Sequence, residues 1–287
     1  MVVFPNCKIN IGLNILDKRP DGFHNLETVF YPIPLKDALE VIYTKEDQSQ
    51  QIIFTQSGIS IDAKEEDNLC IKAWHLLKKD FPQLPAVQMH LHKAIPMGAG
   101  LGGGSADAAF TLQLLDEKFN LGLSTGQLIN YSLTLGSDCP FFIINKPCYA
   151  TGRGEVLEPL DISLSGYQLV LINPGIHINT GWAFTQLKNQ ASANSGLSKN
   201  LQHFITEPVQ SWPNTIVNDF EAPVFSAHPQ LQKIKEELYL HGAVYAAMSG
   251  SGSTIYGLFE KNTAVQLNTS SSFFAKSFFA VKLLALA

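Results

Sequence analysis

From Pro96 to Asp107 the chain reads Pro-Met-Gly-Ala-Gly-Leu-Gly-Gly-Gly-Ser-Ala-Asp, with five glycines in the seven positions from Gly98 to Gly104. Without a Cβ, backbone N–H groups can close on an anion. The apolar-periodic stretch that follows adds a helix N-terminus with its positive dipole end. Together these make a phosphate cradle. Ser105 and Asp107 open that helix. They read as caps or, being a hydroxyl and a carboxylate beside a polyphosphate, as partners for magnesium, which keeps several waters and takes few protein ligands. Asp138, two residues before Pro140, is a helix-cap candidate. Phosphoryl transfer to an alcohol also needs a carboxylate that orients the hydroxyl and takes its proton, so both readings stay open. Lys8 by itself reads as a surface charge at a strand end. The turn Asp21-Gly22-Phe23-His24 sets a ring beside an imidazole, a pair suited to stacking on a pyrimidine and bonding its edge.

Several phosphate-binding classes are excluded. Gly98-Ala99-Gly100-Leu101-Gly102-Gly103 fits the dinucleotide fingerprint, but the stretch from Glu117 to Gln127 reads as a loop opening a helix. A dinucleotide fold needs a second strand ending in an acidic residue there. No Gly-Lys-Ser/Thr tripeptide occurs, which removes the Walker-type loop, and the protein-kinase motifs are absent. The serine-hydrolase elbow fails at its last position, which is Asp107. A net charge of −5 argues against nucleic acid as the main partner, since no excess of positive charge covers phosphates.

Elements must position these residues. The spacing predicts strands over Val2 to Leu16, Leu26 to Pro34, Ala38 to Tyr43, Gln51 to Thr55 and Val87 to Leu91. Asp67 is expected to cap a helix from Leu69 to Lys79 with Leu69, Ala73, Leu76 and Leu77 inward. A second helix runs from about Ser105 to Phe119 with Ala108, Ala109, Leu112 and Leu115 inward, and Ser124 caps a third that ends near Leu135. Thr151-Gly152-Arg153-Gly154 reads as a hairpin turn, and Tyr167 to Ile172 as a buried strand. The polar stretch from Gln186 to Asn200 reads as a solvated insertion. After it come a helix (Gln230 to His241), strands at Ala243 to Met248 and Thr254 to Phe259, a further helix, and a terminal strand. At 287 residues, with 45% apolar and 16% charged, the chain is long enough for two domains of an α+β class, joined near residues 155–165. The four cysteines, Cys7, Cys70, Cys139 and Cys148, have neither C-x-x-C nor zinc spacing, which points to a reduced cytoplasmic protein. The start lacks a signal-peptide pattern. The apolar tail from Phe273 to Ala287 contains Lys276 and Lys282 and falls short of the ~20 residues of a membrane span, so no membrane partner is expected.

The motifs taken in order resemble the GHMP kinases. Cys7-Lys8-Ile9-Asn10 is similar to the family's opening A-K-x-N, and Arg19 to His24 to its R-x-D-G-[YF]-H. Leu135-Gly136-Ser137-Asp138-Cys139-Pro140 is similar to L-G-[AS]-D-V-P, and Met248 to Ser253 to the C-terminal glycine motif. Phe23 stands where Tyr is common, and Cys139 where an aliphatic residue is common. The resemblance implies an N-terminal ATP-binding α/β domain over 1–160 and a C-terminal ferredoxin-like α+β domain over 161–287. The form Gly-Leu-Gly-Gly-Gly-Ser is similar to the branch that phosphorylates the 2-hydroxyl of 4-diphosphocytidyl-2-C-methyl-D-erythritol in isoprenoid precursor synthesis. The alternatives are a homoserine or mevalonate kinase, or a non-catalytic nucleotide-binding regulator on the same fold.

By this resemblance Asp138 is the catalytic carboxylate and Lys8 its charged neighbour. ATP is implied along Pro96, Met97, Gly98, Ala99, Gly100, Leu101, Gly102, Gly103, Gly104, Ser105 and Ala106, with Asn68 and Lys93 near its base. Phe23 and Phe184 are implied to sandwich the cytosine, His24 to bond its edge, and Asn10 and Thr180 to lie near the polyol or phosphates. Magnesium would sit by Ser105 or Asp107. The cytidyl alcohol is expected in a cleft between the domains, and oligomeric state is left open.

Overall fold

The computed structural model describes residues 1–44, 52–60, 64–187, 200–265 and 279–286. In chain order the strands and helices are β1 (Val2–Val3), β2 (Asn6–Lys18), β3 (His24–Lys36), β4 (Ala38–Tyr43), β5 (Ile52–Gly58), α1 (Leu69–Asp80), β6 (Val87–Lys93) and α2 (Gly103–Phe119). Then come α3 (Thr125–Leu135), α4 (Cys139–Ile144), β7 (Cys148–Thr151), β8 (Val156–Pro159), β9 (Tyr167–Asn173), α5 (Thr180–Leu187) and α6 (Leu201–Phe204). The last are α7 (Glu221–Ala227), α8 (Pro229–Leu240), β10 (Tyr245–Met248), β11 (Ile255–Glu260) and β12 (Phe279–Ala285). Among the described residues no helix is long and apolar enough to cross a membrane.

Two compact units form, and neither is one stretch of chain. The first holds Met1–Lys8, Leu35–Met97 and Gly102–Lys146; the second holds Ile9–Pro34, Gly98–Leu101 and Pro147–Ala287. This differs from a single cut near residue 160. The long strands β2 and β3 join β7 and β8 in one sheet of order β2-β3-β7-β8, so early chain is drawn into the later unit.

In the first unit β4 pairs antiparallel with β1 and β6, and β5 runs parallel to β6. Leu39, Val41, Met89 and Leu91 alternate inward from β4 and β6, and α1 and α2 bury their own apolar faces. Those of α2 are Ala108, Ala109, Leu112 and Leu115, as the 3.6-residue period predicts. Its start is two residues earlier than expected, because Gly102 in the left-handed region (φ 69°) turns the chain into the helix. Helix α3 begins as predicted, with a reciprocal capping box between Ser124 and Gln127.

Helix α1 corrects two expectations. Asn68, not Asp67, caps it: Asn68 Oδ1 accepts from Cys70 N at 2.9 Å, while Asp67 pairs with Lys72 at 3.1 Å. The inward face is Cys70, Ala73, Trp74 and Leu77, because the indole claims the central position; Leu69 and Leu76 are only half-buried. The predicted first strand is also split, between Val3 and Asn6, where Pro5 has no N–H to donate.

In the second unit β9, β10, β11 and β12 are all antiparallel, in the order β10-β11-β9-β12. Counted along the chain that is 2-3-1-4, the ferredoxin-like order the resemblance implies, with α7 and α8 on the crossover between its first two strands. Val170 and Ile172 of β9, Leu231, Ile234 and Leu238 of α8, and Ile255 and Phe259 of β11 share one buried cluster. The expected helix before the terminal strand falls on 266–278, and most of the polar insertion on 188–199. Both lie outside the described residues.

Candidate active site

In the first unit Lys8 is enclosed, its side chain 4% exposed, and its Nζ lies 3.6 Å from Asp138 Oδ2. Asp138 stands at the N-cap position of α4 yet makes no capping hydrogen bond, and its side chain is 34% exposed. Helix capping is therefore not its role. The carboxylate is held by an ammonium and open on its other side, as a group that must receive an alcohol requires. Burial pulls the Lys8 ammonium below the ordinary lysine range, and Asp138 opposes that pull. Gly102 lies against the pair: a Cβ there would stand 3.2 Å from Lys8 Cε and 3.1 Å from the Phe142 ring. No side chain caps α2, so its first-turn N–H groups keep their capacity for an anion.

Lys93 is not offered to a nucleotide. Its side chain is 0% exposed, and Nζ donates to Asp37 Oδ2 and, at 2.7 Å, to Asp107 Oδ2. Asp37 Oδ1 accepts from Ala94 N at 2.6 Å and Ile95 N at 2.8 Å. One cation thus serves two buried carboxylates, and the segment leading into the glycine loop is pinned to the first turns of α2. Burial works against the Lys93 ammonium, but Asp107 and Asp37 together outweigh it and raise its pKa. Asp107 bears the cost of the excess negative charge. Burial pushes its carboxyl up to about 7 against the pull of Lys93, and its Oδ1 has no hydrogen-bond partner among the described residues. Asp107 therefore neither caps α2 nor fits as a direct magnesium ligand, because it is enclosed and committed to an ammonium. Among the described residues no three His, Cys, Asp or Glu side chains converge on a metal position. Ser105, half-buried at the start of α2, carries no such commitment to a buried ion pair. Asn68 caps α1 through Oδ1 and lines a small cavity of about 60 Å³ with Leu69, Leu91, Met97 and Gly104.

In the second unit the Ser-Gly motif from Met248 to Ser253 grips the loop residues Gly98 to Leu101. Ser249 Oγ donates to Gly100 O at 2.7 Å, and Thr254 N to Ala99 O at 3.2 Å. A Cβ on Gly100 would fall 1.9 Å from Ser249 O, so this position requires glycine. Asn218, which no sequence signal marks, donates from Nδ2 to Met248 O and Gly250 O, both at 2.8 Å. Asn10 N donates to Ser249 Oγ at 3.1 Å and Asn10 Nδ2 to Thr28 Oγ1 at 2.9 Å. Thr180 and Ser251 hydroxyls meet at 2.9 Å.

The aromatic residues pair differently from the expected sandwich. Phe184 stacks on His24, with centroids 4.8 Å apart and planes at 14°, and meets Phe220 edge-on at 4.9 Å. Phe23 is 55% exposed, with the Arg153 guanidinium 5.0 Å from its ring centroid. A cavity of about 630 Å³ in this unit lies between Asn14 and α7–α8 and is lined by none of the predicted site residues.

The family model for the GHMP kinases N terminal domain matches residues 68–146, and that for the GHMP kinases C terminal matches residues 207–267. The chain belongs to the GHMP kinases and is an ATP-dependent small-molecule kinase. It is 54% identical over 259 residues to the 4-diphosphocytidyl-2-C-methyl-D-erythritol kinase of Bacteroides fragilis, covering 90% of this chain and 92% of that one. With the protein of the same name from Cytophaga hutchinsonii it shares 46% over 272 residues, 94% of this chain and 97% of the relative. A crystal structure of 4-(cytidine 5'-diphospho)-2C-methyl-D-erythritol kinase superposes with a TM-score of 0.78 at 28% identity, covering 100% and 99% of the two chains. A mevalonate kinase at 12% identity and TM-score 0.75 shares the fold.

Proposed function

We propose that the chain transfers the γ-phosphoryl group of ATP to the 2-hydroxyl of 4-diphosphocytidyl-2-C-methyl-D-erythritol, in the methylerythritol phosphate route to isoprenoid precursors. The observation that carries the reaction is the Lys8–Asp138 pair, with its carboxylate free of helix capping. The substrate is supported by relatives of that name at up to 54% identity over most of both chains. Asp138 orients the hydroxyl and takes its proton as the new O–P bond forms and the bond to ADP breaks. Lys8 holds the carboxylate in place and offsets charge on the moving group. The triphosphate lies along Pro96 to Ala106, where the uncapped N-terminus of α2 meets anionic oxygen. Asn68 Nδ2 is the side-chain donor left for the base, and Lys93 supports the loop from below. Magnesium bound with the triphosphate would draw off negative charge, and Ser105 is the side chain to hold it. Phe23, His24 and Phe184 receive the cytosine, and Asn10 and Thr180 the remainder of the substrate. Residues 1–160 carry the N-terminal family region and residues 161–287 the C-terminal one. Four buried cysteines with neither C-x-x-C nor zinc spacing suit a cytoplasmic enzyme.

The test is ATP turnover with three acceptors. The cytidyl alcohol should be phosphorylated and homoserine and mevalonate left unchanged; turnover of either of those instead overturns the substrate assignment. Two further outcomes are expected. Phe23→Ala loses a base–aromatic stack of about 1–3 kcal/mol, so the KM for the cytidyl substrate rises roughly five- to 150-fold while that for ATP holds. A loss of thermal stability with both constants unchanged would make Phe23 a packing residue only. Second, transfer that needs charged Lys8 must fail as pH rises through its depressed pKa. The alkaline limb of kcat should then have its midpoint below the ordinary lysine value of about 10.4. A profile flat up to that pH contradicts the role of Lys8.

A further inference from the structure

Arg153 sits at the tip of the β7–β8 hairpin, between Gly152 (φ 70°) and Gly154 (φ 108°). The turn closes through Gly154 N donating to Thr151 O at 3.0 Å, and Leu26 N donates to Gly152 O at 2.8 Å, which ties the tip to β3 two residues after His24. Glu155 holds the inner half of Arg153: its Oε2 accepts from Arg153 N at 2.5 Å and its Oε1 from Nε at 3.4 Å. The guanidinium then lies 5.0 Å from the centroid of Phe23. Nη1 and Nη2 make no hydrogen bond among the described residues, and the side chain is 34% exposed. The neighbouring Arg19 is spent, with Nε and Nη2 on Asp21 and Nη1 on Asn25. Arg153 is therefore a pre-oriented cation with its outward fork unused, mounted on a ring assigned to substrate. A planar fork of donors matches two oxygens of one phosphate, and its charge favours phosphate over a neutral base edge.

We propose that Arg153 is a substrate-contacting residue, its Nη1/Nη2 fork receiving the diphosphate of the cytidyl substrate. This rests on the cytidyl reading above and adds a specificity determinant to it: the site would distinguish a diphosphate-bearing nucleoside from the bare nucleoside. The test compares binding of cytidine 5'-diphosphate and cytidine by calorimetry in the full chain, its Arg153→Met variant, which keeps the stem over Phe23, and Arg153→Lys. Arg153→Met should weaken the diphosphate about ten- to 100-fold, the range of a lost charge-assisted hydrogen bond, and change cytidine less than about twofold. Arg153→Lys should recover part of the loss, and the KM for ATP should hold in both variants. Equal losses for the two ligands would mean that Arg153 acts on the base or through Phe23, and would overturn the diphosphate contact. No loss for either overturns the contact altogether. A wild-type chain that binds neither ligand brings down the cytidyl reading itself, whereas one that binds both and ignores the substitution brings down this inference alone.

Discussion

Asp138→Asn is expected to lower kcat by about 10²–10⁴, the range for a group that moves a proton in the transition state, while ATP binding stays near normal. The amide has the shape of the carboxylate but cannot take the proton of the hydroxyl. Because Asp138 makes no capping hydrogen bond, α4 loses no hydrogen bond when the charge is removed. The larger local effect falls on Lys8. It is nearly buried and already below the ordinary lysine range, and without its carboxylate partner it gives up its proton more readily. Single-turnover kinetics separate the two consequences, because loss of the proton acceptor slows the chemical step and leaves nucleotide affinity alone. Near-normal turnover in a folded variant removes Asp138 from the mechanism.

Lys93→Met is the second large effect, and it is one of stability. In the wild-type chain a single ammonium holds Asp37 and Asp107 inside the protein. Without it two buried carboxylates face each other unpaired, and breaking a buried pair costs about 3–5 kcal/mol. In a chain of this size each kcal/mol moves Tm by roughly 2–4 °C, so a fall on the order of 6–20 °C is expected. The sign of its pH dependence follows from the same geometry. Buried and without its ammonium, the Asp107 carboxyl has a folded-state pKa above its unfolded one, so the folded variant binds more protons. Its stability then falls as pH rises from the ordinary carboxylate range of about 4 toward neutrality, and the variant is closest to wild type in mild acid. Adding Asp107→Asn should restore part of the loss at pH 8. A Tm within about 2 °C of wild type at pH 8 would show that the three groups are not a buried charge cluster.

Much of the site is legible in the amino-acid sequence alone, because its signals are local. The five glycines and the apolar-periodic helix that follows them are continuous in the chain, and α2 buries the four side chains that its period predicts. The capping box of α3 spans four consecutive positions and forms where Ser124 predicts the helix start. Local signals fail where two neighbours compete for one role. Asp67 and Asn68 are both good caps, and only the backbone N–H of Cys70 selects between them. Asp138 is the converse case, a residue at a cap position whose side chain turns to Lys8, 130 residues earlier in the chain, instead of to its own helix.

Legible without the fold were most strands and the three long helices of the first unit, the glycine-rich loop and the order of the family motifs, since periodicity, glycine freedom and turn preference act between near neighbours. Tertiary structure alone decided which of them meet. Asp37 reaches Ala94 and Ile95 across 57 and 58 positions, Ser249 grips Gly100 across 149, and Arg153 comes to lie over Phe23 because β7 pairs with β3. It also changed the roles of Lys93, which the family resemblance placed near the nucleotide, and of Asp107, whose carboxylate suggested a metal contact; burial commits them to each other. The physical reason is that a charged side chain removed from water must find its partner wherever the fold puts one, and the distance along the chain to that partner leaves no periodic trace.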